Sequence, residues 1–141
     1  MAIHFHPEQG TILVCDFRGF VEPEMVKRRP VVVISPRLRN RSGLCTVVPL
    51  STTQPAKVEP YHYRLHTAPC LPAPYVNSVH WVKADMLCTV SFERLFLMSH
   101  GTKDASGKRI YDQRVIDAAD LLKIHAAVLH GIGLTKLTDY L

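Results

Sequence analysis

The residues of this chain best suited to chemistry are cations and hydroxyls at the ends of apolar runs. Lys27, Arg28 and Arg29 stand directly ahead of Pro30-Val31-Val32-Val33-Ile34-Ser35-Pro36. That β-branched run reads as a strand buried on both sides, too short for a buried helix. Pro30 pushes Arg29 into an extended conformation and suits the first residue of the strand, where no ladder donor is needed. Pro36 closes the run. Arg29 is thus backed by a rigid strand, whereas Lys27 and Arg28 hang from a loop. A guanidinium held this way can neutralise a phosphate or carboxylate. Ser51 and Thr52 end the next apolar run, and Lys83 and Asp85 lie on a later one. Hydroxyls at a strand exit can donate to a phosphate oxygen, and Asp85 can accept a proton or orient the arginine. The bland alternative is that these residues only make polar turns and solubilise strand ends.

Other chemistries find little support. His4 and His6 form an H-x-H pair, but no cysteine or carboxylate stands near it at ligand spacing, so no metal site is expected. The chain carries no P-loop, dinucleotide fingerprint, nucleophile elbow or zinc-protease motif. A two-metal nuclease needs clustered carboxylates, and the 12 acidic residues are dispersed. Chemistry on phosphates would therefore proceed without metal or other cofactor. The four cysteines, Cys15, Cys45, Cys70 and Cys88, are widely spaced and predict reduced thiols, with Cys15 and Cys45 as small core residues. The start of the chain has neither a basic segment nor an apolar one, and no run approaches the ~18 apolar residues of a membrane span. A soluble, cytoplasmic protein is expected. Lys plus Arg outnumber Asp plus Glu by 17 to 12, a net charge of +5 that suits an anionic partner such as DNA or RNA.

The elements that must position these groups are mostly strands. Gly10–Phe17, Pro30–Pro36, Leu44–Ser51 and Tyr61–His66 read as strands, and Ser78–Val90 as one long strand or two with a bend. Arg18–Lys27 is a ten-residue loop with Glu22 and Glu24, longer than a tight hairpin needs. Lys108–Tyr111 returns from a polar turn at Gly101–Gly107 as a hairpin. Short strands between Pro and Gly loops argue for a small β-barrel or sandwich. The tail alone is helical: Asp112 is the expected N-cap, Val115, Ala118, Ala119, Leu122, Ala126 and Leu129 form the packing stripe, and Gly131 or Gly133 stops the run. One domain is expected, with a barrel over about 8–100 and a hairpin and helix over about 101–133.

The order Gly10–Phe17, Glu24, Arg29-Pro30, Ser35-Pro36 and Pro49-Leu50-Ser51-Thr52-Thr53 resembles the MazF/PemK (Kid) toxins of bacterial toxin–antitoxin modules. Trp81–Asp85 followed by Thr89-Val90 is similar to the family strand that carries a basic-x-Asp element, and a weaker likeness runs from Arg94-Leu95 to the helix. The resemblance implies an SH3-like small β-barrel of the CcdB/MazF/Kid type with a C-terminal helix, and a homodimer. It implies a sequence-specific, metal-independent endoribonuclease that cuts single-stranded mRNA. The 2′-hydroxyl would attack phosphorus to leave a 2′,3′-cyclic phosphate and a 5′-hydroxyl, and a cognate antitoxin would restrain the activity. By position, Arg29 matches the catalytic arginine, Ser51 falls where a threonine is usual, Thr52 is a possible substitute, and Asp85 matches a base or steering carboxylate. Lys83 stands where the PemK branch has an arginine.

The residues that fit RNA contact in this reading are Glu24, Lys27, Arg28, Arg37, Arg39, Arg41 and Lys83, with Phe20, Tyr61, Tyr63 and Trp81 as candidate stacking faces. Serine for threonine keeps the hydroxyl but loses the methyl that restricts its rotamer, and lysine for arginine loses bidentate phosphate geometry. The same groove would receive acidic and apolar residues of a disordered antitoxin tail. Two other readings stay open. One is a non-catalytic barrel that binds DNA gyrase, as CcdB does, although the Trp-Gly-Ile ending of those toxins is replaced by Leu137-Thr138-Asp139-Tyr140-Leu141. The other is a decayed RNA-binding module.

Overall fold

A computed structural model describes residues 1–141. The strands are β1 (Ile12–Asp16), β2 (Arg28–Val33), β3 (Leu44–Ser51), β4 (His62–His66), β5 (Val79–Lys83), β6 (Cys88–Ser91), β7 (Leu95–Phe96), β8 (Met98–Lys103) and β9 (Arg109–Asp112). One α-helix, α1 (Ala118–Gly131), follows them. All pairings between these strands are antiparallel. The main sheet runs β4-β5-β3-β2-β1-β7, with β6 also on β3, and β8-β9 form a separate ribbon. The result is a barrel-like, mainly β fold with a C-terminal helix.

Alternation along the strands builds two cores, as period-two burial requires. Ile12, Val14 and Val32 point one way with Val48, Leu50 and Val82, and Ile124 and Ala127 of α1 cover them. Leu13, Cys15, Val31 and Val33 point the other way with Cys45, Val47 and Phe17, closed by Val90, Leu95 and Ile3. Each fully buried Val, Leu or Ile contributes ~1.5–3 kcal/mol, so these pairings fix the register.

Several expectations need correction. Strand β2 begins at Arg28, not Pro30, because β1 supplies cross-strand partners: Asp16 opposite Arg28 and Cys15 opposite Arg29. Opposite charges on facing positions favour that extension. Arg28 therefore belongs to the strand, not the loop. The segment from Ser78 to Val90 takes the second of its two expected forms, two strands with a bend, here a 3-10 turn at Ala84–Met86. Asp112 is not the helix N-cap, because Arg114 claims its carboxylate at 2.9 and 2.6 Å and holds its pKa below the usual value. Asp117 caps α1 instead, accepting from the Asp120 amide at 2.8 Å. The helix also presents a different face. Ile124 and Ala127 are buried, while Leu122 of the expected stripe is 44% exposed. Leu121, Ile124 and Val128 form a second apolar stripe on the same helix, and the shape of the sheet selects it.

Gly131 lies within α1, and the reversal comes at Gly133, whose φ is +80°. Gly131 instead permits a close approach: a Cβ there would meet the Asp85 Cα at 3.1 Å and its amide nitrogen at 3.2 Å. The helix end thereby clamps the turn that carries Asp85. Gly131→Ala should lower stability by about 1–2 kcal/mol, as overpacking against backbone does. An unchanged or raised urea midpoint would show that helix propensity outweighs the contact.

His80 on β5 is 1% exposed, and both ring nitrogens lack a well-formed hydrogen bond. Burial holds its pKa below the ordinary 6.5, partly offset by the backbone of Asn77 and Tyr75. Burial lowers that of His125 as well. The folded state thus resists protons that the unfolded chain accepts, so stability present above about pH 6.5 is lost as pH falls below it. The unfolding free energy from urea titration should drop from pH 7 to 5.5, by up to ~1.4 kcal/mol per pH unit for each such histidine. His80→Phe should flatten the slope, and an undiminished slope would exonerate His80.

Candidate active site

Arg29 shares its face of β2 with Val31 and Val33, and Cys15 of β1 stands opposite it. The β2–β3 register pairs Val31 with Pro49, so two residues further along Arg29 comes level with Ser51. On the far side of β3, Ser51 pairs with Trp81, and Trp81 with Arg64. Facing residues on adjacent strands share a face. Cys15, Arg29, Ser51, Trp81 and Arg64 thus form one row across the sheet, and Lys83 and His62 follow on the same face.

The row is polar where it leaves the core. Arg29 is half-buried, and its Nε is sealed from solvent without a hydrogen-bond partner. The chain's four ion pairs are Arg18–Asp16, Lys57–Glu59, His100–Asp112 and Arg114–Asp112, so Arg29, Lys83 and Asp85 are all free of carboxylate or cation partners. Asp85 therefore does not orient Arg29. A buried guanidinium nitrogen left open is costly unless an anion completes it. Ser51 is buried, and its Oγ accepts the Thr53 amide at 3.1 Å. That bond restrains the hydroxyl where threonine would use its methyl, and it leaves the hydroxyl proton free to donate. Thr52 is exposed beside it, and Asp85 is exposed on the Ala84–Met86 turn. Trp81 belongs to the core at 8% exposure.

The remaining expected residues scatter. Arg28 lies on the opposite face from Arg29, its guanidinium 4.8 Å from the Phe96 ring centre. Tyr63 also faces away, donating to Asp120, with burial raising its pKa to about 12. Neither is free to line a groove with Arg29. Lys27 is exposed at the end of the β1–β2 loop. Glu24 accepts the Val21 amide at 2.8 Å and borders an apolar cavity of about 290 Å³ with Phe17, Phe20, Met25 and Cys88. Arg37, Arg39 and Arg41 lie beyond the other end of β2, remote from Arg29. The buried thiols, of which only Cys15 stands beside Arg29, are not nucleophiles: burial pushes Cys15 up to about 12 and Cys45 up to about 11, and raises Cys88 as well. No three His, Cys, Asp or Glu side chains converge in a way that would hold a metal ion.

Three residues near the site lie outside the set expected from the sequence. His62 is fixed by its Nδ1 accepting the Glu59 amide at 3.0 Å, which leaves Nε2 as the protonated nitrogen. Arg64 extends the cationic row. The only sequence signal of these two is membership of a strand. Arg94 donates to the carbonyls of Asp16 at 2.9 Å and Arg18 at 2.8 Å and lies 4.9 Å from the Phe20 ring centre. It pins the loop that leads to Arg29, aided by the Arg18–Asp16 pair, which draws the Asp16 pKa down to about 2.

The chain is similar to several known proteins. The model of the family described as PemK-like, MazF-like toxin of type II toxin-antitoxin system matches residues 8–129. The uncharacterized protein YifN of Escherichia coli K12 is 32% identical over 114 residues, 67% of this chain and 75% of YifN. An uncharacterized protein of Haemophilus influenzae is 28% identical over 99% of both chains. Deinococcus radiodurans MazF superposes with a TM-score of 0.58 at 23% identity, covering 92% of this chain and 99% of MazF. A mycobacterial endoribonuclease, solved in complex with its cognate antitoxin, gives 0.58 at 22% identity over 92% of this chain and 97% of that chain. These two likenesses establish the fold.

Arg94→Ala should release the β1–β2 loop while the barrel stays folded. Amides of residues 18–27 should exchange with deuterium at least tenfold faster, the equivalent of ~1.4 kcal/mol. Exchange unchanged within twofold would mean that the Arg18–Asp16 pair and Glu24 suffice to hold the loop.

Proposed function

Because this chain belongs to the PemK-like, MazF-like toxins of type II toxin–antitoxin systems, we propose that it is an endoribonuclease acting on single-stranded RNA through the row of residues around Arg29. The observation that carries this reading is the Arg29 Nε, sealed and unpartnered, level with a Ser51 hydroxyl that retains a free proton. A phosphodiester placed there would complete the guanidinium. Arg29 would supply the counter-charge for the phosphorane, and Ser51, with Thr52 beside it, would donate to a non-bridging oxygen. Lys83 on the same face would bind a neighbouring phosphate as a point charge.

The step balances with protein groups alone. The ribose 2′-oxygen attacks phosphorus and gives its proton to Asp85, forming the new P–O bond of the cyclic phosphate. The P–O5′ bond breaks, its electron pair leaves with the 5′ oxygen, and that oxygen takes up a proton donated by Arg29 and replenished from solvent. Asp85 returns its proton to solvent in turn. An antitoxin partner, a homodimer and a cytoplasmic setting belong to the same proposal through the family.

The test is cleavage of a long single-stranded RNA in EDTA, with product ends mapped by primer extension. Discrete cuts leaving 5′-hydroxyl ends are expected. Arg29→Ala should slow cleavage by about a hundred- to a thousandfold, the scale of removing one oxyanion donor. Ser51→Ala should cost at least about tenfold in kcat, while Ser51→Thr should stay within about tenfold of the parent. Intact RNA that is still bound by folded protein would mean a binding module. Cleavage untouched by Arg29→Ala would place the chemistry elsewhere.

A further inference from the structure

The turn between β2 and β3 joins the N-terminal arm to build a concavity of about 900 Å³, lined by His4, Phe5, His6, Arg37, Arg39 and Arg41 among others. No carboxylate contributes to its lining. The side chains of Arg37, Arg39 and Arg41 enter none of the chain's ion pairs. His6 is tethered through Nδ1 to the Pro7 carbonyl at 2.7 Å and packs edge-on to Phe92, with ring centres 6.0 Å apart. Phe5 is 60% exposed at the rim. Asn40, at the tip of the turn, has φ of +60°, and the Arg41 amide bonds back to the Leu38 carbonyl at 3.2 Å, so the turn is held in a closed shape.

Three unpaired guanidiniums around a hollow repel one another, and a polyanion that enters relieves all three at once. An exposed aromatic face beside them suits an unstacked base, the combination found in surfaces that track single strands. We infer that this concavity is a second RNA-binding surface, which grips the sugar–phosphate backbone of the substrate away from the bond being cut. The inference rests on the ribonuclease reading for the identity of the polymer. From Arg29 to Val33 the strand advances about 13 Å, at ~3.3 Å per residue, before the chain reaches the turn. One strand of RNA would therefore have to span several nucleotides to occupy both places. Affinity would come from both surfaces, and chemistry from one.

The probe is a 5′-labelled oligouridylate of about 20 nucleotides, titrated with the Arg29→Ala protein so that binding is read without cutting. The comparison protein carries Arg37→Gln, Arg39→Gln and Arg41→Gln in the same background, with its fold checked by circular dichroism. The triple substitution should weaken Kd at least tenfold at physiological salt. It should also reduce the slope of log K against log salt by about 2, since each lost phosphate contact contributes ~0.7 for single strands. Oligomers of four nucleotides, too short to reach across, should lose far less. Unchanged Kd and slope would overturn the inference. So would poly-L-glutamate binding that is lost with these arginines while RNA binding ignores the substitution, which would assign the hollow to an acidic protein segment. Cleavage by the unsubstituted protein is scored separately. RNA bound through the arginines but never cut would sink the ribonuclease reading alone, and RNA cut as proposed with binding unmoved would sink the second surface alone.

Discussion

Strand β3 carries more of this structure than any other element, because it must satisfy three partners. One edge faces β2 through Pro49, Val48 and Val47. The other edge pairs with β6 over Leu44–Val47 and with β5 at Leu50 and Ser51. That edge changes partner opposite Val48 and Pro49, and Pro49 has no amide to offer to a ladder. The gap is where β5 leaves the sheet and the Ala84–Met86 turn begins. Asp85 is exposed at this seam because the sheet cannot be continuous there. Ser51, just past the proline, is drawn toward Trp81 while staying level with Arg29. The seam thus leaves Asp85 on a turn opposite the middle of β3, while Ser51 and Arg29 share one end of a rigid sheet.

The electrostatics follow from that geometry. Cations near a sheet end usually find carboxylates, and this chain shows two such outcomes in Arg18–Asp16 and Arg114–Asp112, both bidentate. Each pair lies two residues apart in sequence and ties a loop to its own strand. Arg29 is treated differently: a buried thiol, Cys15, stands opposite it on β1, and the register sets Ser51 level with it on β3. Burial raises the pKa of the thiol and keeps it neutral. A charge with no carboxylate partner and one nitrogen sealed remains available to an incoming anion, whereas a charge already paired would have to surrender its partner first.

Much of the fold is legible in the sequence because burial writes itself into local patterns. Strand β3 is legible at both ends, since an apolar run of eight residues between a Gly turn and a hydroxyl cluster is too short for a buried helix and too apolar for a loop. The hairpin of β8 and β9 is legible from its polar turn. The helix is legible in existence but not in phase: its residues are apolar on two faces, and only the sheet decides which face is covered. The cap is ambiguous for a related reason. Asp112 and Asp117 are both competent caps, and the competing arginine at position 114 is a tertiary contact in its effect, since it also reaches the carbonyls of Pro69 and Cys70. The contacts of His62, Arg64 and Arg94 are not legible in the sequence because they depend on which strand or loop stands beside each residue.

The scatter of the basic residues shows the same limit from the other side. Lys27, Arg28 and Arg29 form a single cluster in sequence, yet a strand with period two must send Arg28 and Arg29 to opposite faces. Once β1 recruits Arg28 into the ladder opposite Asp16, the separation is unavoidable, and Phe96 is waiting under the guanidinium that turns away. Arg37, Arg39 and Arg41 escape this sorting because they lie on a turn, where no ladder imposes alternation. There the N-terminal arm can gather around them into one hollow. Density of charge along the chain therefore overstates the groove at Arg29 and understates the turn. In a small barrel, the residues that converge are those on one row of neighbouring strands or on one loop, and adjacency in sequence within a strand argues against convergence.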